Sequence, residues 1–511
     1  MALVVKGRIV PLAAGDPGTV FRGSVFVDDG GLVEQVLPAR RKAPAGYEQA
    51  PLVDAGDALV FPGLIDLHNH LAYNTLPLWA DPTRTDPYLD HNTWPRRKTY
   101  APDVTWPAYA FITAAPEELL AYVEVKAIIG GTTSIQGSPP NNRPRDNWLV
   151  RNIEDETWGE TGGANFVYAS TLTEKPAGLK DRAKKMRDGA LFIYHCAEGT
   201  LGSTAAREYT ACAHAGCLQS RFVGVHCSSV APAAFDEWGD AGAIAWSPFS
   251  NLWLYGMTTA VEPAAHDGLT VCLGSDWAPS GTKHVLGELK VARVVSQHLG
   301  FDFTDEQLVA MVTSNPGDVL ARAWPRRVGR LEAGAVADLV VVDASPRAVP
   351  WHALVHAVER DVQLVVIGGT ARYGTAKLMK AAAAPVTTPL RVGTENRRVA
   401  LTRPDAPQKA WPWKEIVARL ETVRANPKAA IDAAESRRAT FAGAAHARDA
   451  PLRLELDMPT GLGPYGGLPG NLDDIVIPPL QSLTHDADWF ASINGRGFHG
   501  GLLDELHKFY A

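Results

Sequence analysis

The sequence predicts an α/β protein: a TIM-like (β/α)8 barrel with a small composite β-sandwich domain and a C-terminal extension. Apolar strand runs alternate with helical stretches across residues 61–324. Short β-type runs flank that region on both sides, and histidines and carboxylates sit at the ends of its apolar runs.

Residues 1–60 read as short strands and turns. Lys6-Gly7-Arg8-Ile9-Val10 and Gly23-Ser24-Val25-Phe26-Val27 are β-type runs, and Asp28-Asp29-Gly30-Gly31 is a hairpin signal. Ala58-Leu59-Val60-Phe61-Pro62-Gly63-Leu64-Ile65-Asp66 reads as a buried strand interrupted by a Pro-Gly turn. Pro116-Glu117-Glu118 opens a helix that runs to Gly130-Gly131, since proline and acids suit a first helical turn and glycine its end. Thr132-Thr133-Ser134-Ile135 follows as a strand. Further apolar candidates cover residues 148–153, 166–169, 191–194, 222–225, 243–246 and 269–273, which with the strand before His68 makes eight.

After the barrel, residues 328–343 and 362–369 return to short strands and turns. They are expected to pair with the N-terminal ones, so that 1–60 and 325–380 form one β domain split by the barrel at 61–324. Residues 381–388 read as an Ala/Pro/Thr linker into an extension, 381–511, that carries no chemical motif.

Composition narrows the function. The chain has 511 residues and a net charge of −7, with no basic stripe to hold nucleic acid. No apolar run approaches the roughly 18 to 20 residues of a membrane span. The start, Met1-Ala2-Leu3-Val4-Val5-Lys6-Gly7, lacks the pattern of a signal peptide. Five cysteines without a CxxC pair do not make a disulfide framework. The expectation is a cytoplasmic enzyme with reduced thiols and a small-molecule substrate, with neither nucleic acid nor membrane as partner; a homo-oligomer is left open.

Four segments carry the chemistry, each after an apolar strand. In Asp66-Leu67-His68-Asn69-His70 the two histidines are two apart, so on an extended strand they face one way. The others are His195-Cys196-Ala197-Glu198, His226-Cys227 and Gly274-Ser275-Asp276. Strand ends converge on one mouth of such a barrel, where three imidazoles and a carboxylate suit a divalent metal. A single strand-end histidine is more often structural than a ligand, but the ordered set points to His68, His70, His195 and Asp276 as ligands of one ion. Cys196 and Cys227 alternate to the opposite side of their strands and are expected in the core.

These segments resemble the amidohydrolase superfamily. Phe61-Pro62-Gly63-Leu64-Ile65-Asp66-Leu67-His68-Asn69-His70 is similar to its first-strand motif, and His195-Cys196-Ala197-Glu198 to the HxxE of the branch with adenosine-homocysteine, guanine and cytosine deaminases and triazine hydrolases. His226-Cys227, Ser247-Pro248-Phe249-Ser250-Asn251-Leu252 and Gly274-Ser275-Asp276-Trp277-Ala278-Pro279-Ser280 resemble that branch's later segments. The resemblance implies one divalent metal, zinc with iron as the alternative, because the fourth strand, Phe166-Val167-Tyr168-Ala169-Ser170-Thr171-Leu172-Thr173, has no lysine to bridge two ions. It also implies catalytic roles for Glu198 (proton shuttle to a leaving nitrogen), His226 (hydrogen bond to substrate or water) and Asp276 (proton acceptor).

The long aromatic stretch after His70 departs from the pattern. Tyr73, Asn74, Trp79 and Trp94 are candidates to wall the substrate; packing of the loop onto the barrel is the competing account. The expected reaction is hydrolysis of a non-peptide C–N bond of an amide, cyclic amide or amidine. Deamination of an amino-heterocycle is the alternative, and a catalytically inactive scaffold the rival from another class.

Overall fold

The computed structural model describes every residue except 1, 140–141, 143–147, 155–166, 172–173, 239–241, 442–450, 455 and 457–468. The strands in chain order are β1 (Leu3–Ile9), β2 (Phe21–Val27), β3 (Val33–Pro38), β4 (Leu52–Pro62), β5 (Leu64–Asp66), β6 (Thr132–Ile135), β7 (Arg151–Asn152), β8 (Val167–Ser170), β9 (Leu191–Cys196), β10 (Phe222–His226), β11 (Ala243–Trp246), β12 (Thr270–Leu273), β13 (Leu339–Val342), β14 (Val362–Ile367), β15 (Thr370–Gly374), β16 (Thr388–Val392) and β17 (Glu395–Val399).

The parallel strands form two groups, β5-β6-β7 and β8-β9-β10-β11-β12. One seam between the groups is bridged: Asp276 N donates to His68 O (3.0 Å) and Leu67 N to Leu273 O (3.3 Å). The other seam, β7 to β8, borders residues outside the described set. Every residue of β9, β10 and β11 is buried, as parallel strands covered on both faces require. Each apolar run expected from the sequence holds one of these strands, and the arrangement is a mixed α/β fold with parallel sheet. Gly274 allows the bridged seam to close, because a Cβ there would meet His68 Cβ at 2.4 Å.

A second sheet has nine strands in the order β16-β17-β15-β14-β13-β4-β1-β2-β3. Its N-terminal strands meet the later ones where β4 pairs antiparallel with β13, Val60 opposite Val341. The chain passes from this sheet to the parallel strands at Pro62-Gly63, where Gly63 N donates to Asp338 O (2.9 Å). The sheet continues past residue 380 into β16 and β17, whose inward side chains Leu390, Val392 and Val399 are buried.

The C-terminal extension is bound to the loops above the parallel strands. Gln481 N donates to Thr75 O (2.9 Å) and Tyr122 Oη to Gln481 O (2.6 Å). Two buried lysines meet the same segment: Lys126 donates to Gln481 Oε1 and to Asn74 O (2.8 Å), and Lys283 to Ser482 O (2.8 Å) and Thr484 O. A buried triad completes the join. Glu359 Oε1 accepts from His284 Nε2 (3.1 Å) and His485 Nδ1 (2.7 Å), while the other ring nitrogens accept from Gly287 N and Lys283 N. With every ring nitrogen engaged, this triad is a hydrogen-bonded lock.

Arg151 on β7 and Asp338 before β13 form a buried ion pair between the two sheets, and Asp338 Oδ1 also accepts from Gly368 N (2.8 Å). Removing one partner leaves a buried charge uncompensated. Asp338→Ala is therefore expected to cost about 3–5 kcal/mol and to lower the thermal midpoint by several degrees. Asp432→Ala, which breaks the exposed Lys428 pair, should leave the midpoint within error. Thermal denaturation followed by circular dichroism checks both.

Candidate active site

The strand ends bring His68, His70, His195, His226, Asp276 and Glu198 together in one buried cluster. Ligand atoms of His68, His70 and His195 lie within 4.8 Å of one another, as do those of His68, His226 and Asp276. His68 Nε2 and His70 Nε2 are 3.3 and 3.6 Å from Asp276 Oδ1, and His70 Nε2 is 3.2 Å from His195 Nε2.

Hydrogen bonds from surrounding residues assign the ring protons. His68 Nδ1 faces Gln136 Oε1 (3.1 Å) and His195 Nδ1 faces Ser170 O (3.3 Å). Both acceptors hold the proton on Nδ1, which leaves each Nε2 lone pair aimed into the cluster. His226 is arranged the opposite way. Trp246 Nε1 donates to Thr258 Oγ1 (2.7 Å), Thr258 donates to Asn251 Oδ1 (3.3 Å), and Asn251 Nδ2 then donates to His226 Nδ1 (3.2 Å). The proton of His226 therefore sits on Nε2, 3.8 Å from both Asp276 Oδ2 and Glu198 Oε2. His68 and His195 are built to ligate, and His226 to donate.

A divalent metal fits this donor set. The buried His68 Nε2 makes no hydrogen bond, and two Nε2 lone pairs converge beside a carboxylate. Such a constellation is costly without a cation. Burial favours raising the Asp276 carboxyl, but His68, His226 and His70 outweigh it and hold it below the usual carboxylate range. Burial, then the neighbouring His68 and His70, lowers His195, and burial takes His226 down to about 3. Both imidazoles are neutral, as a ligand and a neutral donor should be.

The backbone is bent sharply at these strand ends. Ala197, His226, Cys227 and Asp276 all have left-handed φ, of 56°, 63°, 54° and 58°. Such conformations cost about 1–3 kcal/mol each and persist where surrounding bonds hold them. Here Ala197 N donates to Glu208 Oε2 (2.9 Å), Cys227 N to Cys196 O (3.0 Å) and Trp277 N to Asp276 Oδ1 (2.8 Å). Asp66 supports the Asp276 turn by accepting from Ser275 N (2.9 Å) and Ser275 Oγ. Cys196 and Cys227 are in the core.

Glu198 lies at the edge of the cluster, fully buried. Burial pushes its carboxyl up to about 7, and Asp276 adds to the rise, against His91, Tyr255 and His68. Its loop is held by His91, whose backbone N donates to Glu198 O (3.1 Å) and whose ring pairs with Glu208 (2.8 Å). Tyr255 Oη donates to Glu198 Oε1 (2.7 Å). Gln136, His91, Glu208 and Tyr255 escape the sequence reading. Only Tyr255 carried a local signal, one helical turn past Asn251 on the helix Pro248–Tyr255.

The loop residues expected to face substrate are all buried. Tyr73 packs edge-on to Trp277, with ring centres 5.1 Å apart. Asn74 joins two site loops, donating to Asn69 Oδ1 (2.7 Å) and accepting from Ala278 N (2.9 Å). Trp79 lies against Tyr88 and lines a cavity of about 580 Å³ with Trp253, Arg496 and Phe498. Trp94 donates from Nε1 to Tyr255 Oη (2.9 Å). Trp277, beside Asp276, meets the His70 ring edge-on at 6.2 Å.

The geometry separates ligands from donor. His70→Ala and His195→Ala should each lose most of the divalent metal that wild-type protein retains through desalting. His226→Ala should keep it. Elemental analysis of the purified variants reads this directly, and equal loss in all three would contradict the separation.

Residues 211–372 match the model of the amidohydrolase family. A 5-methylthioadenosine/S-adenosylhomocysteine deaminase from Symbiobacterium thermophilum is 26% identical over 419 residues, covering 73% of this chain and 93% of that protein. A 5'-deoxyadenosine deaminase from Methanosarcina mazei is 24% identical over 421 residues, covering 72% and 91%. Among solved structures, an adenosine deaminase from Xanthomonas campestris with bound zinc superposes with a TM-score of 0.60 at 17% identity, covering 84% of this chain and 98% of that one. His226 and Asp276 both lie inside the segment that matches the amidohydrolase family model.

Proposed function

We propose that this chain is a zinc-dependent hydrolase that releases ammonia from an amino-heterocycle, acting at the mouth of a (β/α)8 barrel flanked by a composite β domain. One observation carries the reading: His226 Nε2 stands 3.8 Å from both Asp276 Oδ2 and Glu198 Oε2. A neutral donor thus lies between an ionised carboxylate and a carboxyl lifted toward neutrality, a division of labour suited to attack on a C–N centre. The names of the relatives support deamination over amide cleavage, the two reactions left open by the sequence. The zinc in the similar solved structure and the all-nitrogen-and-oxygen donor set support zinc. Among the described residues no helix is long and apolar enough to cross a membrane, and we place the enzyme in the cytoplasm.

His68, His70, His195 and Asp276 would hold the ion. When bound, it supplies Lewis acidity and an activated water near neutral pH. Asp276, kept ionised by its histidines, can accept a proton. His226 donates from Nε2 to the electrophilic group of the substrate. Glu198 holds a proton at the pH where it is needed and delivers it to the departing nitrogen. Tyr73, Trp79, Trp94 and Trp277 make the surrounding wall apolar and aromatic, as a planar heterocycle requires.

The test is a panel of amino-heterocycles, 5'-substituted adenosines, cyclic amides and acylated amines, read by mass spectrometry and ammonia release. Exchange of an amino group for oxygen is expected. Splitting into acid and amine would assign the amide reaction instead, and no turnover of any class by metal-loaded protein would leave a binding scaffold. Glu198→Gln and Asp276→Asn should each lower kcat by about 100-fold or more. As an acid, Glu198 must start protonated, so kcat should be sustained below about 7 and fall as pH rises through that value, a limb that a bound dication moves to lower pH. A limb unchanged in Glu198→Asp would remove Glu198 from this role.

A further inference from the structure

The Glu198 carboxyl has two oxygens in different surroundings. Oε2 faces His226, and Oε1 accepts from Tyr255 Oη at 2.7 Å. Tyr255 is itself a target: Trp94 Nε1 donates to Tyr255 Oη at 2.9 Å. All three side chains are buried, with Trp94, Glu198 and Tyr255 no more than 5% exposed.

An indole nitrogen only donates, so the first bond has one direction. Tyr255 Oη receives the indole hydrogen and must send its own hydrogen elsewhere. Glu198 Oε1 is the acceptor within reach. Were Glu198 protonated on Oε1, Tyr255 would receive two hydrogens and its own would be left in a buried place without a partner. That arrangement costs the full desolvation of a hydroxyl donor.

We propose that Trp94 and Tyr255 are positioning residues, a one-way hydrogen-bond relay that keeps Oε1 of Glu198 an acceptor and places its acidic proton on Oε2, toward His226. The proposal rests on the reading of Glu198 as the acid of the site. It gives Trp94 a part that the aromatic loop pattern alone does not: Trp94 acts on the chemistry through Tyr255. The relay also accounts for opposing influences on this carboxyl, which burial raises and the Tyr255 hydrogen bond lowers. Because each donor is rigid and buried, the acid holds its geometry before substrate arrives.

Infrared spectroscopy of the zinc-loaded full chain, below neutral pH, tests this without a substrate. A protonated carboxyl gives a carbonyl band whose frequency falls when that oxygen accepts a hydrogen bond. The Glu198 band is identified by its loss in Glu198→Gln. With the proton on Oε2, the carbonyl is Oε1, and Tyr255→Phe should move the band to higher frequency. Trp94→Phe should move it the same way by less, and should add nothing in the Tyr255→Phe background, the signature of coupling within one chain of bonds. A band unmoved by Tyr255→Phe, or a Trp94→Phe shift of equal size in both backgrounds, overturns the relay. Failure of the underlying reading looks different: Glu198→Gln would retain turnover of the amino-heterocycle panel while the band shifts stood, and the relay would then have no acid to serve. In Tyr255→Phe, loss of a bond to a carboxyl that becomes charged as it gives up its proton should lower kcat by about 10- to 100-fold with KM little changed.

Discussion

The structure turns on a concentration of lone pairs that cannot be stable alone. His70 Nε2 and His195 Nε2 approach to 3.2 Å, His68 Nε2 has no hydrogen bond, and Asp276 is ionised beside them, all away from water. A divalent cation at their centre would satisfy such an arrangement. The surrounding protein is organised to keep those atoms converged. Gln136 and Ser170 O fix ring tautomers from outside, and the Asp66–Ser275–Asn69–Asn74 network joins the loops after β5 and β12. His226 stands in the same cluster with its proton reversed, so a single ring orientation distinguishes donor from ligand.

This orientation is set by residues with no chemistry of their own. Asn251 and Tyr255 sit one turn apart on a short helix, the first pointing His226 and the second Glu198. One rigid element thereby aligns two groups of the cluster from different strands. The left-handed backbone at Ala197, His226 and Asp276 does the complementary work by bending the chain at the strand ends that carry the cluster.

Much of the site was legible in the sequence because strands have a period of two. That period puts Cys196 on the side of β9 opposite His195 and in the core, whereas His68, His70 and Cys227 lie just past the ends of their strands. The parallel strands were legible because buried strands are continuous apolar runs between helices, and β6 and β11 match their expected limits. What surrounds the ligands was not, because it depends on which elements meet. Gln136 and Glu208 are ordinary polar residues until the topology sets them behind His68 and Ala197. The aromatic loop showed its composition but not its direction, so Asn74 reads as a wall residue although both ends of its amide are used between loops. Lys126 and Lys283 are both buried. Their burial depends on backbone carbonyls and an amide from a segment far along the chain, which no local pattern encodes.

That distant segment has a consequence for how the protein is made. Thr75 and Lys283, which belong to the loops after His70 and Asp276, find hydrogen-bond partners in residues 481–485. During synthesis His68, His70, His195 and Asp276 all emerge early, and the strands that carry them can collapse while roughly the last two hundred residues are still unmade. Until residue 485 leaves the ribosome, the Lys283 ammonium lacks Ser482 and Thr484, Lys126 lacks Gln481 of its two acceptors, and Glu359 lacks one of its two imidazoles. Completion of the site is thus a late event in the life of each molecule, governed by the passage of a segment that contributes no ligand to it.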